Sequence, residues 1–109
     1  GITAFADMYH LEEEIAAATA ESGMRGVLGQ SILKFPSPDA ETHEKSLARA
    51  RQFIESWQDH PLITPAVAPH APYSNTDEIM RECVDLAVET GAPLLIHLAE
   101  TRLELENSL

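Results

Sequence analysis

Four short apolar segments alternate with longer amphipathic segments along the chain, and this alternation constrains the fold more than any other feature. The apolar segments are residues 2–8, 24–33, 62–70 and 93–99. Helical spacing of apolar residues follows each of the first three, and the fourth leads into the start of another helix. Strands that are apolar on both faces and alternate with helices form parallel sheets with right-handed crossovers. The predicted order is therefore β-α-β-α-β-α-β with the beginning of a further helix.

Glycines and polar residues set the predicted limits of the helices. The first helix begins at Leu11 and ends at Gly23, and the second covers about residues 40–59. The third begins at Ser74 or Asn75, each of which has an acidic residue three positions later, and ends at Gly91. Two α/β architectures fit this order, a doubly wound sheet or an arc of a (β/α)8 barrel. We expect residues 1–109 to form one unit with no internal domain boundary.

Composition excludes several classes of function. The chain has 18 acidic and 7 basic residues and a formal net charge of −11, which argues against nucleic-acid binding because phosphates require clustered Lys and Arg. No apolar run approaches the ~20 residues of a membrane span. The single cysteine, Cys83, excludes an internal disulfide. With no leader sequence visible, we expect a cytoplasmic protein.

Both ends of the sequence interrupt structural segments. The chain opens at Gly1 directly into an apolar run with no initiator methionine, and it closes at Leu109 inside a helical pattern. Natural termini are usually polar and frayed. We therefore expect the sequence to be a piece of a longer protein.

Functional groups of parallel α/β folds collect at the carboxyl ends of the strands, and two histidines lie there. His97 interrupts the apolar PLLIHLA, and Glu100 follows three residues later. A histidine ligand and a nearby carboxylate suit metal-assisted proton transfer, and a core histidine bonded to neighbouring backbone is the alternative. His70 lies in APHAPYS between two prolines, which suits either a pocket residue or an exposed side chain in a rigid turn. Arg25 begins a strand, where a salt bridge at the base of the sheet is the local interpretation.

Four segments together resemble one family. TAFADMY, MRGVLGQ, APHAPYS and IHLAET, in this order and spacing, resemble the amidohydrolase superfamily, in particular the branch of 5-methylthioadenosine/S-adenosylhomocysteine deaminases and related chlorohydrolases. The likeness covers essentially all 109 residues. It implies an α/β segment of a metal-dependent (β/α)8 TIM barrel, approximately strands two to five with the intervening helices.

The resemblance also implies roles for individual residues. His97 corresponds to a metal-binding histidine, and Glu100 to the general acid/base that moves a proton from metal-bound water to a ring nitrogen. His70 corresponds to a histidine that contacts the substrate. Arg25 matches an arginine that holds the polar tail of the substrate, in some members from a neighbouring subunit. The implied cofactor is one divalent metal, zinc first and iron as the alternative.

The implied activity is hydrolytic deamination of an adenine-type nucleoside by metal-bound hydroxide, in a full-length enzyme that forms a homo-oligomer. Hydrolysis of C–N or C–Cl bonds on triazine or pyrimidine rings is an alternative within the same superfamily. The remaining family ligands, a His-x-His pair, a further histidine and an aspartate, belong to strands outside this sequence. The 109 residues alone are therefore expected to be inactive and to bind metal poorly. A non-catalytic α/β module is the alternative from another class.

Overall fold

Three strands form a parallel sheet in the order in which they occur along the chain. The computed structural model describes residues 1–109 and contains β1 (Ala4–Tyr9), β2 (Arg25–Ile32) and β3 (Ile63–Pro69). β2 pairs with β1 on one side and with β3 on the other. The first three predicted strands are thus present, in the parallel arrangement that the alternation predicts.

Four helices connect or follow the strands: α1 (Glu12–Ser22), α2 (His43–Trp57), α3 (Asp77–Thr90) and α4 (Arg102–Ser108). Gly23 and Gly91 end α1 and α3 with φ angles of 77° and 72°, in the left-handed region that glycine adopts without strain.

The predicted start of α3 is wrong by one or two residues. Thr76 is the N-cap, and its hydroxyl accepts a hydrogen bond from the backbone N–H of Ile79. Ser74 belongs to a short 3-10 turn, Pro72–Ser74. The Asn75 side chain donates to the carbonyls of Ile32 and Ala71, so it is committed to the preceding loop rather than to the helix.

The helices α1, α2 and α3 cover one face of the sheet. One apolar cluster lies under α2 and α3, and a second lies under α1 and α2; they contain Ile32, Ala50, Ile54, Val67, Ile79, Cys83 and Leu86, and Ala16, Leu28, Phe53 and Ile63. Cys83 packs in the first cluster, and its burial raises the pKa of the thiol to about 12, which disfavours the reactive thiolate. None of the helices combines the length and the hydropathy that a bilayer span requires.

The fourth predicted strand does not form as a regular strand. Residues 93–97 run parallel to β3 and are joined to it around Val67, whose N–H donates to Pro93 O and whose carbonyl accepts from Leu95 N, both at 2.9 Å. Alternate residues of a strand direct their N–H groups to the same side. Pro65 and Pro69 flank Val67 at that spacing and have no N–H to donate. The ladder therefore stops after one bridge.

On the face opposite the helices, small side chains let β2 and β3 pack closely. A Cβ atom built at Gly29 would lie 2.5 Å from the Cβ of Ala68, so only glycine fits there. Ala66 and Ala68 are fully buried on this face although no helix covers it. β1 and residues 95–97 together line a cavity of about 210 Å³.

Candidate active site

The structure brings three of the four predicted site residues together at the carboxyl end of β3. His70 directly follows β3, and its carbonyl accepts a hydrogen bond of 3.0 Å from the backbone N–H of His97. The two imidazole rings meet edge to face, with centroids 5.3 Å apart and an interplanar angle of 76°. Tyr73 links Glu100 to this pair, because it contacts both His70 and Glu100.

His70 is fixed by the turn that follows it. Its Nδ1 atom lies 2.8 Å from the hydroxyl of Ser74, which is buried in the 3-10 turn. The edge of the Tyr73 ring packs against the imidazole at a centroid distance of 5.7 Å. The ring is half-buried and held on two sides, so the alternative of an exposed histidine in a rigid turn is wrong.

His97 lies at the wall of the cavity rather than in the core. Its side chain is exposed and lines the cavity with Asp7, Met8 and Leu95, among others. Within these 109 residues the imidazole is therefore not a core side chain. The residue sits on the irregular segment beside β3, because the prolines of β3 leave that segment with few ladder bonds.

Glu100 is held through both its side chain and its backbone. The hydroxyl of Tyr73 donates to Glu100 Oε2 at 3.3 Å, and the backbone N–H of Glu100 donates to Glu104 Oε2 at 2.9 Å. Thr101 caps α4 by accepting from the N–H of Glu104. The start of α4 and the carboxylate of Glu100 are therefore positioned together. Partial desolvation, and then the charge of Glu100, raise the pKa of Tyr73 above its usual value, which keeps the phenol a hydrogen-bond donor.

Arg25 lies at the opposite end of the sheet from the other three residues. It is the first residue of β2, its side chain is exposed, and its backbone N–H donates to the carbonyl of Thr3. It takes part in no ion pair, so the salt bridge expected from its position is absent. The structure does not bring Arg25 to the candidate site of its own chain.

The donor set of this chain does not fit a complete metal site. No group of three or more His, Cys, Asp or Glu side chains is placed to hold an ion. A catalytic zinc ion takes three protein ligands, and the site presents the imidazole of His97 with that of His70 beside it. His97 can therefore supply one ligand of a site that needs further residues.

Comparison with known proteins gives the family. The whole chain, residues 1–109, matches the amidohydrolase family. The chain belongs to the amidohydrolase family. It is 41% identical over 109 residues to a 5-methylthioadenosine/S-adenosylhomocysteine deaminase of Syntrophobacter fumaroxidans, and 43% identical over 106 residues to one of Aquifex aeolicus. These matches cover 100% and 97% of the chain but 25% of each relative, so the chain spans about a quarter of their length.

Solved structures give the fold of this amidohydrolase segment. An adenosine deaminase from Xanthomonas campestris, crystallised with bound zinc, matches 97% of the chain with a TM-score of 0.94 and 33% identity, over 24% of its own length. A guanine deaminase from C. acetobutylicum with bound guanine matches 98% of the chain with a TM-score of 0.84 and 22% identity, over 29% of its own length. The predicted fold class, an α/β segment of a (β/α)8 barrel, is confirmed, with the fourth strand reduced to a bridge.

Sequence reasoning missed a buried carboxylate that joins the ends of β1 and β2. The Asp39 side chain is 1% exposed and accepts hydrogen bonds from Leu11 N at 2.9 Å, Gln30 Nε2 at 2.7 Å and Ser37 Oγ at 2.9 Å. Although burial opposes ionisation, these donors hold the pKa of Asp39 below its usual value. Asp39 fixes Leu11, a non-glycine residue with a φ of 57°. In sequence it is one more acidic residue of a proline-rich loop, and nothing local marks it.

A second missed group is the carboxyl pair of Asp7 and Glu12 at the end of β1. Glu12 opens α1, where the helix dipole favours acidic residues, but the structure buries it completely. Neither of its oxygens has a conventional hydrogen-bond donor. Burial, and then the adjacent carboxyl of Asp7, raise the pKa of Glu12 to about 8. At neutral pH the Glu12 carboxyl therefore holds a proton, and its neighbour Asp7 lines the cavity.

Proposed function

We propose that the full-length protein containing this segment is a metal-dependent amidohydrolase that deaminates an adenine-type nucleoside of the methylthioadenosine/S-adenosylhomocysteine class. The observation that carries the proposal is the convergence of His70, His97 and Glu100 at one carboxyl edge of a parallel sheet. The names of the two similar relatives, both deaminases, support the choice of substrate class.

In this proposal His97 provides one ligand to a divalent ion, zinc first, whose other ligands come from outside these 109 residues. The crystallisation of a 33% identical adenosine deaminase with zinc supports that choice of metal. When bound, such an ion acts as a Lewis acid and lowers the pKa of water towards neutrality. The exposed edge of the His97 ring beside the cavity is consistent with this role.

Glu100 is the proposed proton carrier. One of its oxygens accepts from the Tyr73 hydroxyl, which leaves the other free to take a proton from the attacking water. The same oxygen then delivers that proton to a nitrogen of the purine ring, and the amino group leaves as ammonia. The overall change is balanced, since one water enters, one ammonia leaves and a ring C–NH₂ becomes C=O.

His70 is the proposed substrate contact, because its ring is fixed beside His97 and is only half-buried. Arg25 serves the polar tail of a substrate bound to a neighbouring subunit. Its exposed position at the far end of the sheet is consistent with contact to a substrate bound in a neighbouring subunit. This role requires the proposed homo-oligomer. We also propose one catalytic barrel that includes residues 1–109 and a cytoplasmic location.

The test is an ammonia-release assay of the zinc-loaded full-length protein. We expect release from methylthioadenosine or S-adenosylhomocysteine, and a loss of about 10²–10⁴ in kcat for Glu100→Gln with unchanged zinc content. Glu55→Gln, the same change at an exposed position of α2, is the matched control. Turnover of a chlorotriazine or pyrimidine without ammonia from any adenosine compound would overturn the proposal in favour of the alternative hydrolase.

A further inference from the structure

The imidazole of His70 has one polar side-chain partner, and that partner is not itself part of the site. Its Nδ1 atom is 2.8 Å from the hydroxyl oxygen of Ser74. Ser74 is 4% exposed and lies in the 3-10 turn behind the histidine. The other neighbours of the ring, Tyr73 and His97, meet it through aromatic edges. Nε2 is therefore the ring nitrogen left for a ligand.

The hydrogen bonds around Ser74 determine where the imidazole proton lies. A serine hydroxyl has a single proton to donate. The Ser74 oxygen also lies 3.1 Å from the carbonyl oxygen of Ala71, which can only accept, so both contacts of Ser74 are hydrogen bonds only when its hydroxyl donates to Ala71 and accepts from His70. In that arrangement the Nδ1 atom of neutral His70 carries the proton. Nε2 is left with a lone pair and accepts hydrogen bonds.

The carbonyl of Ala71 is itself fixed in place. It also accepts from Asn75 Nδ2 at 3.2 Å, and the same amide donates to the carbonyl of Ile32 at the end of β2. Asn75 is buried, so this bridge ties the turn to the sheet. The orientation of Ser74, and through it that of His70, is thus connected to the rigid strands.

We propose that Ser74 is a positioning residue that holds neutral His70 in the Nδ1–H tautomer and presents Nε2 as a hydrogen-bond acceptor to the substrate. This inference rests on the proposed function for the identity of the ligand. An acceptor at Nε2 pairs with a hydroxyl or amino group of a nucleoside and does not pair with an unprotonated ring nitrogen. A hydroxyl or amino group of the substrate is therefore the chemical group that fits.

The first test measures the tautomer directly and needs no activity. Nitrogen-15 NMR of the full-length protein labelled at histidine, with the His70 signals assigned by their loss in His70→Gln, reports which nitrogen carries the proton above the imidazole pKa. We expect Nδ1–H in the parent and in Ser74→Thr, which keeps the hydroxyl. We expect a shift towards Nε2–H in Ser74→Ala. A parent spectrum with Nε2–H overturns the proposal, even if Ser74→Ala fails to fold.

The second test separates binding from turnover in the ammonia assay. Loss of one positioning hydrogen bond in Ser74→Ala should raise KM about three- to tenfold, with a much smaller change in kcat, and Ser74→Thr should restore KM. Ser56→Ala, at an exposed position of α2, is the control. Unchanged KM and an unchanged tautomer in Ser74→Ala would contradict the proposal. The expected NMR result in a protein without deaminase activity would contradict the proposed function alone.

Discussion

Buried carboxyl groups are the residues at which local sequence and structure differ most. Glu12, Glu13 and Glu14 are one acidic triplet in sequence, but Glu12 is fully buried against Asp7 while Glu14 is exposed. A buried carboxyl beside another carboxyl can satisfy its surroundings only by keeping a proton. The fold therefore depends on the protonation of one side chain of the three.

The pH dependence of stability should identify that side chain. Glu12 has a pKa of about 8 in the fold and an ordinary value of 4.5, so below pH 4.5 it is protonated in both states and does not lower the free energy of unfolding. As pH rises towards 8 the unfolded chain releases a proton that the fold retains, and the free energy of unfolding decreases. Glu12→Gln should remove this decrease and raise the free energy of unfolding at pH 8 by roughly 1–3 kcal/mol.

Urea unfolding of the full-length protein at pH 4.5 and pH 8 measures the difference. Glu14→Gln makes the same change two residues away at an exposed position. In this control the free energy of unfolding should decrease with pH as it does in the parent. Equal slopes in the two variants would show that Glu12 is ionised in the fold.

The sequence predicted the residues of the candidate site but not the burial of Glu12, because the two depend on different kinds of contact. His70, His97 and Glu100 follow apolar segments, and the carboxyl ends of neighbouring parallel strands meet at one edge, so their proximity follows from the order of elements. Asp39 and Glu12 depend on which loop covers which strand end. That information lies in contacts between residues 28 positions apart, such as Leu11 and Asp39, and no local pattern encodes it.

At the scale of elements, periodicity predicted four strands and four helices; three of those strands and all four helices form, and the prolines of β3 explain the missing strand. The segment 93–97 has the composition of a buried strand, but its partner presents Pro65 and Pro69 where N–H donors are needed. The prolines were visible in sequence. Their effect was not, because the side of β3 that faces the segment follows only from the assembled sheet.

The close approach of β2 and β3 gives a test of the packing between these two strands. Gly29→Ala places a Cβ atom 2.5 Å from that of Ala68, and we expect a loss of about 2–3 kcal/mol in the free energy of unfolding. Ala68→Gly alone should cost about 0.5–1 kcal/mol, as glycine does within a strand. The double variant should be more stable than Gly29→Ala, because the clashing methyl group is gone. Losses that simply add would mean that the two positions are not in contact.

At the scale of the molecule, the 109 residues leave apolar surface and sheet edges uncovered. Exposed large side chains include Ile2, Leu98, Leu103, Leu105 and Leu109. β1 has a partner on one side only, and residues 93–97 have β3 alone. Uncovered strand edges and apolar patches promote association.

Production of the 109 residues on their own, beside the full-length protein, tests this. We expect the short chain to self-associate and to retain no stoichiometric zinc after gel filtration, because His97 is a single ligand. The full-length protein should retain one zinc ion per chain, and His97→Asn should lose it. Light scattering and elemental analysis measure both properties. A monomeric 109-residue chain with one tightly held zinc ion would contradict the expectation and favour a self-sufficient module.

The two prolines of β3 have a consequence for how the whole enzyme is assembled. The strand that carries His97 is joined to β3 by few backbone bonds, so its final place depends on what binds it from the other side. An ion bound by His97 and by residues beyond this segment would then also stabilise the position of this strand. Part of the free energy of metal binding would hold this strand in place in the barrel. Metal removal should therefore loosen this strand before it affects the three-stranded sheet.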